Sequence, residues 1–71
     1  MKTLRMIGYR PGLQTVPLIK AIHDLGGASL ATAKRLVEEL IQEKSPEVKF
    51  ASDTELAAFR RIADQLGVKL E

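Results

Sequence analysis

The chain is predicted to fold as an α+β domain in the order β-α-α-β-α-β, with three helices packed on one face of a three-stranded antiparallel sheet. Three observations predict it. Short segments alternate apolar and polar side chains with period two, around Leu4 and Met6, Val48 and Phe50, and Val68 and Leu70. Three longer stretches between them repeat apolar residues at helical spacing. Breaker residues fall where those stretches must end, at Gly26-Gly27, Lys44-Ser45-Pro46 and Gly67.

The first strand covers Thr3 to Tyr9, with Leu4 and Met6 alternating against Thr3, Arg5 and Ile7, and Pro11-Gly12 ends it. Thr15 is the expected N-cap of the first helix. Pro17 falls in the first turn, where its missing N–H has no helical acceptor to lose. That helix runs to about Leu25, with Ile19, Ile22 and Leu25 one turn apart. Gly26-Gly27 stops it, because glycine adopts positive φ without steric cost.

Ser29 restarts the chain as an N-cap, with Thr32 where a full capping box has Glu or Gln. The second helix continues to about Glu43, carrying Leu30, Ala33, Leu36, Val37, Leu40 and Ile41 as its apolar stripe. It ends before Pro46, since a residue preceding proline is pushed out of the helical region. Glu47 to Ala51 is a short strand. Ser52-Asp53-Thr54-Glu55 is a complete capping box that opens the third helix. Leu56, Phe59, Ile62, Ala63 and Leu66 form its inward stripe, Gly67 its C-cap, and Val68 to Leu70 the last strand. Leu4, Met6, Val48, Phe50, Val68 and Leu70 should face the helices, leaving Arg5, Lys49 and Lys69 on the open face.

Length and composition bound what this fold can do. Seventy-one residues make a single domain, residues 1–71, with no linker, repeat or low-complexity tract. A chain of this size buries about 60% of its unfolded surface, so the core supplies roughly 3–5 kcal/mol. There are no cysteines, so neither disulfides nor thiolate metal sites support it, and a reducing cytoplasm is the expected setting. No apolar run reaches membrane-spanning length, and Arg5 and Arg10 interrupt any signal-peptide core. The formal net charge is only +2, but residues 1–37 carry six cations against Asp24 alone, whereas residues 38–71 carry five against eight carboxylates. A basic first half favours acidic partners.

No side chains assemble into a catalytic set. The single histidine, His23, has no partners for a metal site and reads as a surface or boundary residue. Gly26-Gly27 lacks the spacing of a phosphate loop and serves as a helix–helix elbow. Glu39 and Glu43 should share a helix face and repel, which marks a solvated surface. Arg5, Lys49 and Lys69 read as a sheet face decorated for solubility, because sheet readers of RNA stack bases on aromatics and only Tyr9 is near. Lys20 and Lys34, on the two-helix segment Leu18 to Leu40, lie off the apolar stripes and could anchor an acidic partner.

The segment LIKAIHDLGGASLATAKRLVE, followed by strand, helix and strand, resembles the C-terminal domain of the bacterial ribosomal stalk protein of the large subunit (the L-seven/L-twelve protein). The similarity runs over nearly the whole chain and is most specific in I-K-A-I and S-L-x-x-A-K-x-L-V-E. It implies a protein-interaction module of translation, whose two-helix face recruits GTPase factors. Carried over by position, Lys20 and Lys34 match lysines of that face. Val16, Leu18 and Ile19 match its apolar contacts, and Leu30 matches the leucine that opens its second helix. Thr15, Pro17, His23, Ser29 and Thr32 depart from the family pattern. The family's dimerisation segment and alanine-rich hinge have no counterpart here, which leaves two readings open, a stand-alone relative or a fragment of a longer chain; a monomeric, cytoplasmic module is the expectation. It needs no cofactor, and neither membrane nor nucleic acid is expected as its partner. The adaptor that feeds N-degron substrates to the bacterial Clp protease is similar in shape, which keeps an adaptor role outside translation as the alternative. Its acidic pocket segment is replaced here by Tyr9-Arg10-Pro11-Gly12.

Overall fold

The computed structural model describes residues 2–71. Its elements are β1 (Lys2–Tyr9), α1 (Thr15–Gly26), α2 (Leu30–Ile41), β2 (Glu47–Phe50), α3 (Asp53–Leu66) and β3 (Val68–Leu70). This is the expected β-α-α-β-α-β order. β1 is the central strand of an antiparallel sheet ordered β2-β1-β3. Its two neighbours take different halves of it. β2 pairs with Lys2 to Arg5, and β3 pairs with Met6 to Tyr9 across an irregularity between Met6 and Gly8. Ile7, which alternates with the buried Leu4 and Met6, points outward, where 51% of its surface is exposed.

One sheet face is covered by the helices. Leu4, Met6, Val48, Phe50 and Val68 are buried there, and Leu70 is half-buried at the margin. Leu18, Ala21 and Ile22 of α1, Ala33, Val37 and Leu40 of α2, and Phe59 and Ala63 of α3 close the core from the other side. The rings of Phe50 and Phe59 meet at 5.1 Å between centroids, tilted by 42°, which joins β2 to α3 through an aromatic contact. α1 packs against both α2 and α3. No charged or polar side chain lies fully buried among the described residues.

Helix ends follow local chemistry. Ser29 Oγ accepts from the Thr32 N–H at 3.1 Å, and Ser52 Oγ from the Glu55 N–H at 3.3 Å. Gly27 and Gly67 cap α1 and α3 at φ +67° and +103°, the left-handed region. Several expectations need correction. The N-cap of α1 is Gln14, without a side-chain bond, and Thr15 is the first helical residue. α2 ends at Ile41 instead of Glu43, and Glu43 sits at φ +64° in the turn beyond. Ile62 is 39% exposed, because it lies at the edge of the stripe centred on Phe59 and Ala63.

The open face carries less bare charge than expected. Arg5 stands opposite Glu47, with their charged groups 3.5 Å apart, while Lys49 faces Thr3 and Lys69 faces Gly8. The register thus sets opposite charges across the strands, the favourable arrangement.

Candidate protein-binding face

The exposed surface of α1 is set by which side the sheet buries. Leu18, Ala21 and Ile22 turn inward, so Val16, Lys20 and His23 line an outward strip, with Ile19 half-buried at its edge. This placement corrects one expectation. Leu18 is fully buried and belongs to the core, so its side chain cannot meet a partner. Val16, by contrast, is 75% exposed, the most exposed large apolar side chain among the described residues.

α2 presents a similar strip. Ala33, Val37 and Leu40 face inward, which leaves Leu30 and Lys34 outside, one turn apart. Leu30 is 58% exposed. Ile41 lies on the same side of α2 and is 42% exposed, extending the apolar character to the end of the helix. Its signal in the sequence was ambiguous, since Leu40 and Ile41 both satisfy the helical spacing and only one can point at the sheet.

The two strips are joined at the elbow. His23 Nδ1 lies 2.6 Å from the main-chain oxygen of Ala28. A carbonyl oxygen only accepts, so Nδ1 carries the hydrogen in this contact. His23 therefore ties the last turn of α1 to the residue before the N-cap of α2, across the left-handed Gly27. Ser29 Oγ also donates to Thr32 Oγ1 at 3.0 Å, which fixes the first turn of α2 just below Leu30.

Charge on this face is unspent. The ion pairs among the described residues join Lys2 to Asp53, Arg5 to Glu47, Arg10 to Asp64 and Arg35 to Glu39. Neither Lys20 nor Lys34 takes part. The Arg35–Glu39 pair, at 3.7 Å one helical turn apart, replaces the expected Glu39–Glu43 repulsion, since Glu43 lies outside α2. Among the described residues, no group of three or more His, Asp or Glu is placed to hold a metal ion, and no helix is long and apolar enough to cross a membrane.

No protein-family model, curated protein or solved structure matches this chain.

Proposed function

We propose that this chain is a small protein-interaction module that receives an acidic segment of a protein partner on the outward strips of α1 and α2. One observation carries the reading. The two most exposed large apolar side chains, Val16 and Leu30, each sit one turn before a lysine that has no ion-pair partner among the described residues, Lys20 and Lys34. An apolar spot beside a free cation, repeated on adjacent helices, suits a partner that alternates apolar and acidic side chains. Ile19 adds a half-buried floor. The surface is small, so binding is weak and fast, and charge raises the association rate more than it deepens the affinity.

The class of partner rests on the resemblance in I-K-A-I and S-L-x-x-A-K-x-L-V-E, which points to a GTPase of translation. Retention of purified translational GTPases on the immobilised chain tests this, with a Lys20→Glu/Lys34→Glu variant alongside. Retention by the native chain and its loss in the variant is the expected result. No retention of any GTPase, with a protease chaperone held by the same face instead, would replace the translation role with the adaptor role.

A further inference from the structure

A cleft of about 520 Å³ opens where α3, β3 and the segment following β1 meet. Four residues with cationic side chains line it, Arg10, Arg60, Arg61 and Lys69, against the single carboxylate of Asp64, and the rest of the lining is apolar β3; Lys69 stands at the border, its stem over Gly8 and shared with the neighbouring cleft that Glu43 lines. These cations come from three separate stretches of sequence, so only folding brings them together. Like charges converging on one cleft repel unless an anion joins them.

The cations differ in what already holds them. Arg10 donates to the main-chain oxygen of Asp64 and lies 3.5 Å from its carboxylate. Arg60 donates to the main-chain oxygen of Glu71 at 3.5 Å. Arg61 and Lys69 make no ion pair among the described residues. The last turn of α3, whose dipole would repel an anion, is covered by Arg10 and by the Gly67 N–H, which donates to Ala63 and Asp64.

We propose that this cleft binds a compact anion carrying two or more phosphate groups. Guanidinium groups engage phosphate oxygens in pairs, and three of the four cations are arginines. A discrete ligand fits better than a nucleic-acid strand. No aromatic side chain lines the cleft for bases to stack on. Among the described residues of the sheet, Arg5 is paired with Glu47 and Lys2 with Asp53, which leaves Lys49, outside the cleft lining, as a lone unpaired cation and not a basic track.

The test is a titration of the chain with inorganic pyrophosphate at low ionic strength, followed by backbone amide resonances, with a single-stranded oligonucleotide in a parallel arm. Saturable shifts at Arg10, Arg61, Lys69 and Leu70, with Lys20 and Lys34 unmoved, are expected. Arg61→Ala and Lys69→Ala should each weaken binding by about threefold to tenfold, the loss of one charge-assisted contact. Asp64→Asn should tighten it by a similar factor, since it removes the competing carboxylate and leaves the main-chain acceptor for Arg10. All three side chains are exposed, and the amide spectra check that the variants fold. The proposal is overturned by no saturable shift up to on the order of 10 mM pyrophosphate. Equal shifts at Lys20 and Lys34, weaker binding by Asp64→Asn, or tighter binding by the oligonucleotide at matched phosphate concentration would overturn it too.

Discussion

The imidazole of His23 lies 2.6 Å from the main-chain oxygen of Ala28, a contact that bridges the elbow between α1 and α2. It spans the elbow that separates Lys20 from Leu30 and Lys34. His23→Ala should lower stability by about 0.5–1.5 kcal/mol, the net value of one such hydrogen bond. Thermal unfolding reads this as a midpoint shift of roughly 4–8 °C per kcal/mol in a domain of this size. An unchanged midpoint would mean that the elbow is held by Gly27 and the Ser29 cap alone.

Gly67 and Gly27 separate two costs of replacing a left-handed glycine. Both have positive φ, but a Cβ at Gly67 would come within 3.3 Å of the Leu13 backbone, whereas one at Gly27 meets nothing within 4 Å. Gly27→Ala should therefore cost about 1 kcal/mol, from backbone strain alone. Gly67→Ala should cost more, because φ +103° lies further from what an L residue tolerates and because Leu13 must also move. Chemical denaturation of the two variants checks the order, and equal losses would remove the steric component.

Phe59 is the centre of the α3 contribution to the core, fully buried and in tilted contact with Phe50. Phe59→Ala should cost about 3–5 kcal/mol. That equals the whole stability expected of a domain this small, roughly 3–5 kcal/mol, so the variant should be largely unfolded. Phe59→Leu fills part of the space and should stay folded with a lower midpoint. Circular dichroism distinguishes the two, and a fully folded Phe59→Ala would show that the core tolerates the cavity by collapse.

Much of this architecture is legible in the chain itself. The strand segments, the Gly67 stop and the Ser29 and Ser52 caps each arise from local rules, and the structure keeps them. The phase of α1 was not legible. Val16, Leu18 and Ile19 are all apolar and spread over most of the first turn, so spacing alone admits either Leu18 or Ile19 as the inward residue. The sheet takes Leu18. The same ambiguity hides Ile41 and misplaces Ile62. The Arg5–Glu47 pair depends on strand register, which the composition of neither strand fixes. The basic cleft needs Arg10, Arg61 and Lys69 to meet from distant segments, and no local pattern announces that. Within the proposed face, the lysines were readable as cations off the apolar stripe. That Val16 and Leu30 stand most exposed beside them follows only from the packing.

The most direct test of the interaction role is an amide and methyl NMR titration of the chain with a purified translational GTPase. Shifts are expected at Val16, Ile19, Lys20, Leu30 and Lys34, with the buried Leu18 responding only indirectly and the open sheet face around Lys49 silent. Those shifts should weaken as salt is added, because the free lysines carry part of the attraction. Absence of any shift at submillimolar partner, or shifts centred on the open sheet face instead of α1 and α2, would contradict it.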